Sequence, residues 1–169
     1  MAKVEQDIYW TEFHPSALQD IKMRDMIKAT EYTYNFAIER LASNKYNLTE
    51  DNIFDVLHNQ ILADWIDQRP DTDMCPKTMM AYVAREACNN WLDNRIEKLS
   101  VEELKDRHKN KLYIPYSGMS IADNSVQIMK IMRVPIDPIY VPTRIHLIIA
   151  HMEPDKWRCE IRAAKYKAN

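Results

Sequence analysis

Ten basic side chains in the C-terminal part of this 169-residue chain come interleaved with aromatic ones: Lys109, Lys111, Lys130, Arg133, Arg144, Lys156, Arg158, Arg162, Lys165 and Lys167 beside Tyr113, Tyr116, Tyr140, Trp157 and Tyr166. Basic groups contact phosphates and aromatic rings stack on bases, so a β surface of this composition suits RNA or single-stranded nucleic acid. Several of the rings, Trp157 above all, are equally suited to a core. A second constellation is acidic. Between Tyr46 and Pro76, Glu50, Asp51, Asp55, Asp64, Asp67, Asp71 and Asp73 stand against Arg69 alone. Carboxylates can hold divalent ions for nuclease chemistry. Their positions on helix exteriors and a loop favour a solvated acidic face, which can also dock a basic protein.

Other chemistries are disfavoured by residue type and spacing. The histidines, His14, His58, His108, His146 and His151, include no H-x-x-x-H pair, and His146 and His151 fall on opposite faces of a strand, so neither a metal site nor a cofactor is expected. Cys75, Cys88 and Cys159 are too widely spaced for a disulfide framework or a zinc knuckle and read as reduced thiols, with Cys159 an inert core residue. Gly118 is the only glycine, against about 12 in an average chain of this length. Phosphate-binding loops and nucleophile elbows need several, which removes the Walker, dinucleotide-binding and GxSxG motifs together. No set of nucleophile, base and oxyanion donors can be assembled, so the expectation is a protein that is not an enzyme. The charged first twenty residues do not form a secretory leader, and Ile145 to Met152 is far short of the roughly 20 apolar residues that span a bilayer. A cytoplasmic location follows as an expectation.

The elements that would position these residues change character along the chain. Alternation over residues 3–13 suggests a strand ended by Pro15, and Ser16 caps a helix over about 17–45 whose stripe is Met23, Ile27, Tyr34, Ala37, Ile38 and Leu41. Thr49 opens a second helix lined by Phe54, Leu57, Ile61 and Trp65. Pro76 sits in the first turn of a third, lined by Met80, Val83, Ala84, Ala87 and Trp91. Ser100 and Glu103 form a capping box for a short charged helix. From Leu112 onward the period is two. Residues 125–133 read as one covered strand, and Arg144 to Lys165 as a hairpin turning at Pro154-Asp155. Counting outward from that turn pairs Met152 with Trp157, Ala150 with Cys159, Ile148 with Ile161 and His146 with Ala163 on the apolar face. His151 with Arg158, Ile149 with Glu160 and Leu147 with Arg162 fall on the other. The fold class is α+β: a small antiparallel β-barrel or sheet from residues 1–15 and 112–169, with a three-helix module, 16–111, inserted.

Charge is also asymmetric along the chain when it is cut after Glu103. Residues 1–103 hold 11 Lys/Arg against 19 Asp/Glu, a balance of −8, and residues 104–169 hold 12 against 6, or +6.

This order of elements resembles the N-terminal half of TnpB-type RNA-guided nucleases, relatives of the type V CRISPR effectors. The residues concerned are Phe13-His14-Pro15-Ser16 before a helix with Tyr34-Asn35, Ala37, Ile38, Glu39 and Leu41, then Val126 to Ile131, Val134-Pro135, and Trp157 to Arg162. The resemblance implies a wedge-type β-barrel interrupted by a helical recognition module, and binding of a guide-like RNA or its duplex. It does not extend to a RuvC-like catalytic segment, which would begin after the hairpin. The acidic helical half and Ile136-Asp137 in place of a glycine also depart from the family. Two functions remain: non-catalytic binding of RNA or single-stranded or heteroduplex nucleic acid by the basic β surface, or docking of the acidic helices onto a basic partner protein such as a nucleic-acid enzyme. Neither involves a membrane.

Overall fold

The computed structural model describes residues 5–43, 48–68, 76–116 and 119–167. It is an α+β structure in which the chain divides into two compact units, Met1–Arg24 with Asn110–Asn169, and Asp25–Lys109.

The first unit carries the sheets. β1 (Gln6–Phe13) alternates as its sequence suggests, although residues 3 and 4 of the expected strand lie outside the described residues. After Pro15 the chain enters α1 (Ala17–Ala42) through a reciprocal cap: Ser16 Oγ accepts the Gln19 N–H at 3.2 Å, and Gln19 Oε1 accepts the Ser16 N–H at 2.9 Å. Asp20 in the first turn accepts the indole N–H of Trp157 at 2.7 Å. That bond and one from Arg24 hold the Asp20 carboxyl below its ordinary pKa. The remaining strands are β2 (Lys111–Pro115), β3 (Met119–Ala122), β4 (Ser125–Ile128), β5 (Met132–Pro135), β6 (Ile145–Met152) and β7 (Trp157–Ala164). They form a four-stranded antiparallel sheet in the order β1-β7-β6-β2 and a three-stranded one in the order β3-β4-β5. An isolated bridge, Phe13 to Ile136, links them, and neither sheet closes into a barrel. Phe13, Leu112, Ile114, Val126, Ile128, Val134, Ile148, Cys159 and Ile161 are buried as the core of this unit.

Two expectations about the strands are corrected. Residues 125–133 form a hairpin, because Met129 adopts φ 53° and the Ile131 N–H turns back to the Ile128 carbonyl at 3.2 Å. The β6–β7 register matches the count from Pro154-Asp155 as far as Ile148 and Leu147. There a bulge pairs Ile145 with Ala163, leaving His146 as the extra residue.

The second unit is helical. The remainder of α1 buries Met26, Ile27, Tyr34, Ala37, Ile38 and Leu41. Tyr34 is its polar centre: the hydroxyl donates to the Leu104 carbonyl at 3.1 Å and accepts from Asn90 at 2.9 Å, while the ring stacks on His108 at 4.5 Å. The second helix starts later than expected, at Ile53: its first helical bond is the Val56 N–H to the Asn52 carbonyl at 2.9 Å, and the preceding turn is closed by the Asn52 side chain accepting the Thr49 N–H at 2.6 Å. It runs as α2 (Ile53–Val56), a π-helical turn (Leu57–Ile61) and α3 (Leu62–Gln68), with Leu57, Ile61 and Trp65 buried. Pro76 is the N-cap of α4 (Lys77–Glu97), one residue earlier than expected. Ser100 caps α5 (Val101–Asp106) by accepting the Glu103 N–H at 3.2 Å, as the capping box implies.

Among the described residues the left-handed turns are made by residues other than glycine. Asp123 and Asn124, at φ 52° and 57°, form a two-residue hairpin loop of type I′. Lys98 ends α4 at φ 53°, ψ 44°, and Asn94 binds both the N–H and the carbonyl of Leu99 to seal that end. A Cβ in this region is sterically disfavoured by roughly 1–2 kcal/mol. Lys98→Gly should therefore raise stability by about 1 kcal/mol in urea denaturation, and Lys98→Val should lower it.

Candidate nucleic-acid interface

The register of the four-stranded sheet places twelve side chains on its outward face in rows across β1, β7, β6 and β2. One row is Glu12, Arg158, His151 and Lys111; the next is Trp10, Glu160, Ile149 and Tyr113; the third is Ile8, Arg162, Leu147 and Pro115. The opposite side carries core residues such as Cys159, Ile161, Ile148 and Leu112, as period two requires, but this face is itself covered toward β6 and β2, where Ile149 is 1% and Leu147 8% exposed and Pro115 is buried.

Glu160 is the centre of this face and is only 5% exposed. One carboxylate oxygen meets His151 Nε2 at 2.8 Å and the other accepts from Arg162 Nε at 2.6 Å. Burial by itself would raise the pKa, but these two bonds and the Arg162 charge outweigh it and hold the carboxyl at about 2, against an ordinary 4.5. Trp10 closes the arrangement from above. Its ring lies 5.1 Å from that of His151 on β6, so it reaches across the intervening β7 and roofs Glu160. Trp10 nevertheless remains 44% exposed, with Ile8 beside it at 50%. The Arg158 guanidinium sits over the Trp10 ring, 4.1 Å from its centroid.

The ten basic residues do not form one patch. Lys111, Arg158 and Arg162 share the outward face, and Arg162 is committed to Glu160. Lys156, in the β6–β7 connection, is 3.7 Å from Glu12, and Lys165, beyond β7, is 3.4 Å from Glu5. Arg144 lies over Tyr116 at 4.5 Å. Lys130 and Arg133 belong to the three-stranded sheet, where Arg133 donates to Ser125 Oγ at 2.9 Å and to the Ala122 carbonyl. Lys167 is exposed beyond β7, and Lys109 belongs to the helical unit. Among the described residues, Lys111, Lys130, Arg133, Arg144, Arg158 and Lys167 have no carboxylate partner. Of the aromatics named with them, Tyr113 is half-buried on the face, Trp157 is buried, and Tyr116, Tyr140 and Tyr166 are exposed. Among the acidic residues, Glu50, Asp51 and Asp55 are exposed and Asp64 is half-buried. The Asp67 side chain, Asp71 and Asp73 lie outside the described residues, as does Cys75.

Trp10 was not legible as a site residue. It is separated by almost the whole chain from Arg158, and only the β1–β7 pairing joins them. The bridge from Phe13 to Ile136 gathers Glu12, His14 and Asp137, whose ligand atoms lie within 4.8 Å of one another. His14 is already hydrogen-bonded to Asp137 at 2.7 Å. Burial pushes both the Cys88 and the Cys159 thiol up to about 12, so neither supplies a thiolate at neutral pH. Among the described residues, no helix is long and apolar enough to cross a membrane.

No protein-family model matches the chain, and no curated protein does. What the face can do therefore has to come from its geometry: an exposed ring and unpaired cations held on a rigid sheet.

A depressed carboxyl pKa means that the folded state binds its proton less readily than the unfolded chain. Its contribution is complete above the ordinary value of 4.5 and disappears as pH falls toward 2. Glu160→Gln should lower stability at pH 7 by an amount on the order of 3 kcal/mol. In urea denaturation across pH 6 to about 2, the deficit should shrink as the unmodified protein loses the same contribution.

Proposed function

We propose that this chain is a non-catalytic nucleic-acid-binding protein of the cytoplasm, similar to the N-terminal half of a TnpB-type protein, which holds RNA or single-stranded nucleic acid on its basic β surface. The observation that carries this reading is exposed Trp10 with the Arg158 guanidinium over its ring, and Lys111 on the same sheet face, two cations that no carboxylate neutralises among the described residues. Phosphates need such cations, and bases need an exposed ring. Charge supports it as well. The β unit holds 12 Lys/Arg against 9 Asp/Glu, whereas the helical unit holds 11 against 16. The sequence of strand, inserted helices, meander and final hairpin is consistent with the TnpB-like resemblance.

A second reading has its own observation: Glu50, Asp51 and Asp55 are exposed together around the start of α2 and suit a basic partner protein. Pull-down from nuclease-treated extract separates the two, since a partner retained without nucleic acid favours docking.

Fluorescence anisotropy with a labelled unpaired oligonucleotide tests the first reading directly. Affinity should fall steeply with salt because counterions are released on binding. Lys111→Gln should reduce the log–log salt slope by about 0.7. Joint reversal at Lys111→Glu and Arg158→Glu should abolish binding. Arg162 is left in place because it holds Glu160. Undiminished binding by the doubly reversed protein at low salt would contradict the reading.

A further inference from the structure

The outward face holds two aromatic–cation pairs. Trp10 on β1 stands diagonal to Arg158 on β7, and Tyr113 stands two residues from Lys111 on β2, on the same side of that strand. Trp10 and Tyr113 occupy opposite ends of one row, three strand spacings apart, or about 14 Å. Arg158 and Lys111 occupy the neighbouring row, with His151 between them. At one end of that cation row is Glu12, whose carboxylate would repel a phosphate.

Resting on the nucleic-acid reading above, we infer that the face selects unpaired strands over duplex, and that Trp10 is its principal base platform. The strand lies on the exposed β1 side of the face, with a base on Trp10 and a phosphate at Arg158, and its backbone follows the cation row toward Lys111, because Ile149, 1% exposed, is covered between Trp10 and Tyr113. Duplex bases are stacked on each other and cannot offer a ring face to a flat sheet. In the free protein the Arg158 guanidinium occupies the Trp10 ring and has no carboxylate partner among the described residues. A phosphate draws it off the ring, because a charge-assisted hydrogen bond replaces the cation–π contact, and the vacated ring face receives the base. Glu160 does not oppose the phosphates, since its charge is satisfied by His151 and Arg162 beneath the ring.

Trp10 also roofs Glu160, so a variant must separate packing from stacking. Trp10→Leu keeps an apolar cover and removes the ring; Trp10→Phe keeps a ring. Anisotropy is measured for labelled oligouridylate, oligothymidylate and a duplex of equal length, with thermal melting as the control for folding. The expected result is that unpaired strands bind at least about 10-fold tighter than duplex. Trp10→Leu should lose about 10-fold, and Trp10→Phe should stay within about threefold, the scale set by stacking of one base. The uridylate and thymidylate arms show whether RNA or DNA is preferred. Equal affinity for duplex and unpaired strands overturns the inference, a result that needs no variant. So does unchanged binding by Trp10→Leu, and if binding is still lost on reversal of Lys111 and Arg158 the nucleic-acid reading survives. Absence of binding to every probe at low salt overturns both.

Discussion

A carboxylate buried in the middle of a sheet face has to be paired, and the four-stranded sheet is arranged around that requirement. Glu160 pairs with His151 from β6 and with Arg162 from its own strand, which fixes both side chains against the sheet. Trp10 can then lie over the pair and exclude water, at the cost of leaving a large ring half-exposed. Accessible beside the ring are Ile8 and the Arg158 guanidinium over it, with Lys111 at the far edge of the face. Stability and the proposed binding surface thus share one cluster, and the ion pair positions the platform without itself touching a ligand.

Much of this geometry was legible in the sequence where the constraint was local. Pro154-Asp155 set the β6–β7 register, so the partners of Arg158, Glu160 and Arg162 across β6 followed by counting. Ser100 and Glu103 announced their cap three residues apart. The bulge at His146 was not visible, because both registers leave apolar residues on the covered side. Residues 125–133 have the pattern of one strand because both faces are apolar, and nothing but a methionine marks the turn. With glycine absent from the left-handed positions, the usual punctuation was missing.

The rest depended on pairing between distant segments. Trp10 joins Arg158, and Asp137 joins Glu12 and His14, only because β1 lies between β7 and the segment after β5. The charge asymmetry was overstated for a related reason. Cutting the chain after Glu103 assigned Lys105, Arg107 and Lys109 to the β half and Glu5, Asp7, Glu12 and Asp20 to the helical half. The compact units exchange both sets, leaving the β unit only mildly basic. Affinity for a polyanion must then come from local placement of a few unpaired cations, rather than from net charge.

The four tryptophans, Trp10, Trp65, Trp91 and Trp157, make the sheet face directly observable, since each indole N–H gives its own signal in a proton–nitrogen correlation spectrum. Titration with a short unpaired oligonucleotide should move the Trp10 indole signal and leave those of Trp65, Trp91 and buried Trp157 in place. A stationary Trp10 signal while the helical Trp65 and Trp91 signals shift would contradict a binding surface on this sheet.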